Sequence, residues 1–105
     1  MAVLELHNVN RAAIDALIET PGDSHTGEYE TSLIHFIAPA LVKPESAPGR
    51  PIGEKHIIPK DKLKAWPTAV NGDPTVATGF KGERIVQIMR DGLIELIKKV
   101  EQQVN

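Results

Sequence analysis

The chain has no cysteine, which excludes disulfides, thiolate metal ligands and a cysteine nucleophile. That composition is compatible with a reducing compartment, and a cytoplasmic location is the expectation. Aromatic residues make up only 4%: Tyr29, Phe36, Trp66 and Phe80. An independent core must therefore rest on Ile, Leu, Val and Ala, a lean supply for a chain of 105 residues. Such a chain also suits a piece that packs against something else. No apolar run approaches the roughly 20 residues that span a bilayer. The opening MAVLELHNVN lacks the charged-then-apolar layout of a signal peptide, so no membrane partner is expected. There is no basic surplus either, with 12 Lys+Arg against 14 Asp+Glu and a formal net charge of −2. Nucleic acid therefore loses weight as a partner. Internal repeats and low-complexity tracts are absent.

What is present is ordinary globular material, 41% hydrophobic and 25% charged, enough for one domain or part of one. Residues 2–6, Ala-Val-Leu-Glu-Leu, read as a short apolar strand. Asn10 is a suitable N-cap for a following helix, in which Ala13, Ile14, Leu17 and Ile18 recur at helical spacing. A strand followed at once by a helix is the start of an α/β unit, here spanning residues 2–20. A second helix is predicted within residues 23–38. Tyr29, Leu33, Phe36 and Ile37 form its stripe, Gly27 its N-cap and Pro39 its exit. Residues 43–74 hold most of the prolines and read as an extended loop with short strands, one around His56-Ile57-Ile58. The last segment, 79–103, carries the clearest pattern. Ile85, Ile88, Met89, Gly92, Leu93, Leu96, Ile97 and Val100 form one wide helical stripe.

Candidate chemistry concentrates at Asp23-Ser24-His25-Thr26-Gly27-Glu28-Tyr29-Glu30-Thr31-Ser32, a loop-to-helix junction. A histidine there can serve as general acid or base, or as a metal ligand. The plainer reading is a polar helix cap beside a solvated histidine. Glu28 and Glu30 point about 200° apart on an ideal helix, which disfavours joint chelation of one ion. His7 follows the first strand, where α/β folds place ligand sites. His35 falls near the apolar stripe and reads as a packed histidine, and His56 as structural or exposed. Thr78-Gly79-Phe80-Lys81-Gly82-Glu83 lacks the spacing of a Walker loop, and no Gly-x-Ser-x-Gly elbow occurs. No complete catalytic set is visible.

Two stretches resemble the creatininase family (creatinine amidohydrolases and relatives). The first is His25-Thr26-Gly27-Glu28-Tyr29-Glu30-Thr31-Ser32-Leu33, followed by Ala38-Pro39-Ala40-Leu41-Val42. The second is Gly72-Asp73-Pro74-Thr75-Val76-Ala77-Thr78, with Lys81-Gly82-Glu83 beyond it. The resemblance implies an α/β fold, with this chain as the C-terminal part of a layered architecture built on a mostly parallel sheet. The family's metal-binding motifs precede this region and are not found here. The chain then corresponds to a small subunit or a fragment, with Met1 just ahead of a strand where an α/β fold splits cleanly.

The resemblance also implies a component of a metal-dependent amidohydrolase, hydrolysing a C–N amide bond of a small, cyclic or open, amide. His25 takes the family's proton-transfer position, and Glu30 and His7 are expected near the substrate. Glu28 is a candidate metal ligand. The implied cofactor is a divalent metal, zinc or manganese, held largely by a complementary chain or segment. The implied partners are that complementary chain or further copies of this one. Creatinine itself is doubtful, because the tryptophans that surround it in the family have no counterpart at the matching positions, and Trp66 stands elsewhere. A non-catalytic binding or structural module that keeps the family shape is the alternative.

Overall fold

The computed structural model describes residue 5, residues 8–49 and residues 58–104. Helix α1 spans Arg11–Leu17, α2 Glu28–Ile37, α3 Lys62–Ala65 and α4 Gly79–Val104, with 3-10 turns at Pro39–Leu41 and Pro74–Val76. Asn10 stands at the N-cap of α1, but in the left-handed region with φ 54° and without a side-chain cap bond. Its carbonyl takes over, accepting from the N–H groups of Ala13 at 3.1 Å and Ile14 at 3.4 Å. Asparagine is one of the few residues with a side chain that tolerate this conformation.

Helix α2 begins after Gly27, which has no side chain to cap with. Asp23 supplies the acceptors from a distance, taking the Glu28 N–H at 2.8 Å and the Tyr29 N–H at 2.9 Å. Glu28 and Glu30 in the first turn suit the positive end of the helix dipole. Ala38 closes α2, and Pro39, which cannot donate, turns the chain into the 3-10 segment.

Helix α4 is fastened to α2 at its start. The Thr78 N–H donates to the buried Ser32 hydroxyl at 3.2 Å, and the Thr78 hydroxyl accepts from the Lys81 N–H at 3.1 Å. Gly82 permits this approach, since a Cβ there would collide with the Ser32 carbonyl. Further along, Gly92 lies against Val9 and Asn10. Among the described residues the buried hydrophobic side chains are Val9, Ile14, Val70 and Ile85. Of the predicted stripe Ile85 is buried, Ile97 is exposed with its neighbour Ile94, and the rest is half-buried.

The expected α/β fold with a mostly parallel sheet is corrected here: the described residues form helices and no strand or sheet. Among the described residues the one ladder-type pairing is an isolated antiparallel bridge between His25 and Asn71. It cannot extend, because Thr26 at φ 49° and Gly72 at φ 139° leave the extended region immediately beyond it. Of the expected strand at 2–6 only Glu5 is described, and it carries no regular structure. The remainder of that strand, with His7, lies outside the described residues, as do His56 and Ile57 of the second. The proline-rich stretch differs as well. Between Pro59 and Pro67 it forms α3, because the Asp61 carboxylate caps the Lys64 N–H at 3.0 Å and no proline interrupts the turn.

Candidate functional site

The His25–Asn71 bridge joins two stretches that are far apart in sequence. The Asn71 N–H donates to the His25 carbonyl at 2.8 Å, and the His25 N–H donates back to the Asn71 carbonyl at 3.2 Å. The Ser24 N–H donates to the same carbonyl at 3.0 Å, and the Asn71 side-chain amide donates to the Ser24 hydroxyl at 2.6 Å. His25 itself is exposed. It lines a cleft of about 410 Å³ with Lys62, Leu63, Trp66, Ala69 and Asn71. Trp66, which sequence reasoning set aside, thus shares a cleft with the signature histidine. No local signal marks this proximity, which depends on the pairing of His25 with Asn71.

Beneath the bridge lies Asp23, also missed as an individual residue. Its carboxylate is buried, caps α2 and fits between two glycines. A Cβ at either Gly27 or Gly72 would collide with it. Arg11 crosses the face of the Tyr29 ring at 5.6 Å and donates to the Asp23 carbonyl at 3.4 Å. The loop that carries His25 is therefore held at both ends by buried or packed groups.

Glu28 faces a different neighbourhood. It is fully buried, and its carboxylate accepts from the Glu19 N–H at 3.0 Å and from the Thr20 N–H and hydroxyl, each at 2.8 Å. Lys81 donates to it at 2.7 Å, to the Val76 carbonyl at 2.8 Å and to the Glu19 carboxylate. Burial pushes the Glu28 carboxyl up, but Lys81 and the donors of Glu19 and Thr20 outweigh it and hold it below the usual carboxylate range. Burial pushes Lys81 down, and the two glutamates outweigh that and raise it. For Tyr29, burial raises the hydroxyl, with Arg11 opposing and Glu30 adding. Glu30 is exposed and accepts from the Thr26 N–H. It lines two other clefts, one with Thr31, Ile34 and Val70, the other with Arg11 and Tyr29. His25, Glu28 and Glu30 are thus neighbours in sequence that serve three different surroundings. His35, expected to be packed, is half-buried.

The chain matches the family model of creatininase, described as creatinine amidohydrolase, over residues 1–97. It belongs to the creatininase family. Neither the curated proteins nor the solved structures gave a match. Family membership suggests amidohydrolase-type chemistry, and the family is generally metal-dependent. The described residues do not fit a family metal centre. No group of three His, Asp or Glu side chains among them could hold an ion. The carboxylate of Glu28 is already committed to backbone, hydroxyl and ammonium donors. Among the described residues no helix is long and apolar enough to cross a membrane.

Proposed function

We propose that this creatininase-family chain is one component of a cytoplasmic amidohydrolase that cleaves the C–N bond of a small, cyclic or open, amide. It corresponds to the C-terminal half of a family enzyme. A complementary chain or segment carries the metal-binding half and, with it, the divalent ion, zinc or manganese. On this chain His25 protonates the leaving nitrogen as water adds to the carbonyl carbon and the C–N bond breaks. A general acid of this kind must stand at a fixed place on a rigid support. The observation that supports the reading is the His25–Asn71 bridge, which joins the signature histidine, exposed on a cleft, to the residue immediately before the second family motif. Glu30, by its place in the signature, and His7 contribute to substrate binding on this reading.

A non-catalytic family module is the second reading, favoured by the full commitment of Glu28 to structural partners. The discriminating experiment assays small cyclic amides and formamides with this chain alone, with the complementary segment alone, and with both. Hydrolysis only in the mixture supports the enzyme. A stable complex, loaded with zinc or manganese and inert towards every amide tried, favours the module.

A further inference from the structure

We propose that the outer face of the second half of α4 pairs antiparallel with the same face of a second copy of this chain. Ile94 of each copy packs on Ile97 of the other, and Arg90 of each meets Glu101 of the other. Helix α4 has 26 residues and is about 39 Å long. Its inner side is turned to α1 and α2: Ile85 is fully buried, Gly82 lies against Ser32, and Gly92 against Val9 and Asn10. At about 100° per residue, Ile94 stands about 180° round the helix from Ile85 and faces away from that body. Ile94 and Ile97 are 43% and 49% exposed, and their i,i+3 spacing makes them neighbours on one strip. Arg90 and Glu101 fall on the same strip, within about 40° of Ile94, and both are exposed.

The placing of the charges commits this face to a second copy. A two-fold axis between Glu95 and Leu96 exchanges position 94 with 97 and position 90 with 101 in an antiparallel pair. Each isoleucine then meets an isoleucine and each arginine a glutamate, so the strip is complementary to itself, as an isologous interface requires. A parallel pair in register would set arginine on arginine and glutamate on glutamate. Charges beside a helix seam fix partner and orientation in this way. Arg90 reaches Asp91 at 3.2 Å, but both side chains are exposed, and such a pair contributes little. The five donors of a guanidinium leave several for a partner carboxylate. Lys98 and Glu95 pair with each other at 3.4 Å beside the strip. Among the described residues Glu101 makes no ion pair. Two isoleucines per copy bury little apolar area, so the charges decide whether and how the copies meet.

The test is sedimentation equilibrium of the full-length chain over a range of concentrations, for wild type, Arg90→Glu, Glu101→Arg and the double variant. Both positions are exposed, so the four melting temperatures should agree. The wild type is expected to show a concentration-dependent dimer. The two-fold axis duplicates the ion pair, so each single reversal turns two attractions into two repulsions and should weaken association about tenfold. The double variant exchanges the two charges and should recover to within about threefold of wild type. In a parallel pair the single reversals would change nothing, because like already faces like. A wild-type chain that stays monomeric, as it would if a different partner covers this face, would overturn the proposal. So would single variants that associate as wild type does, or a double variant no better than the singles. Association indifferent to both charges belongs instead to the face of Ile37, Leu41 and Phe80. None of these outcomes bears on the reading of His25, which the assay of hydrolysis tests separately.

Discussion

Asp23 shows how one side chain can organise a loop from outside the helix it caps. Its carboxylate receives two N–H groups of α2 and fills the space left by Gly27 and Gly72. Asp23→Ala should destabilise the chain by about 1–2 kcal/mol, within the usual cost of losing a cap, and lower its melting temperature. Asp23→Asn keeps one acceptor and should cost less. Equal stability of Asp23→Ala and wild type by denaturant titration would contradict this role. The residue is hard to read from sequence because it lies four positions before the N-cap Gly27, beyond the spacing of local capping rules. His25 is legible as a candidate because its motif is local. Its neighbour Trp66 is not, since the two meet only through a pairing of distant segments.

At the scale of elements, α2 and α4 follow from sequence because each announces itself locally. Gly27 and Pro39 bracket the former, and the stripe from Ile85 defines the latter. Helix α3 escapes because four residues leave no periodicity to detect. The expected sheet fails for a related reason: strand pairing is non-local, and only one bridge forms among the described residues. The fastening between elements is equally hidden. Glu28 and Lys81 are brought together across the α2–α4 interface, and burial turns two surface-type residues into an interior pair. Removing one partner of such a pair is costly, and Glu28→Gln should destabilise the chain by about 3 kcal/mol, the lower end of the usual range because Lys81 keeps the Glu19 carboxylate and the Val76 carbonyl. The pH dependence follows from the two shifts. The Glu28 carboxyl lies lower in the folded chain than in the unfolded one, so its contribution is full above about pH 5 and disappears as pH falls through the folded value. Lys81 lies higher when folded, so its contribution is full below about pH 10 and is lost as pH rises through its folded value. Urea titrations across pH should show a wild-type acid limb that is flatter in Glu28→Gln; superimposable limbs would contradict the assignment.

For the whole molecule, the small core and the exposed Ile37, Leu41 and Phe80, near where α2 ends and α4 begins, favour association. The chain is expected to sediment as a complex with its complementary segment, or with itself. A cooperatively unfolding 11.5 kDa monomer at high dilution would contradict this expectation. Such faces are visible in sequence as apolar residues, but whether the chain itself covers them depends on how many elements are available to pack. The central claim is that His25 transfers a proton in an amidohydrolase completed by that assembly. Its most direct test is kcat of the reconstituted enzyme carrying His25→Ala. A fall of roughly 10²–10⁴ is expected, the worth of a positioned general acid, with metal content unchanged. A reconstituted His25→Ala enzyme with wild-type kcat would contradict the account and return this segment to the role of a helix cap.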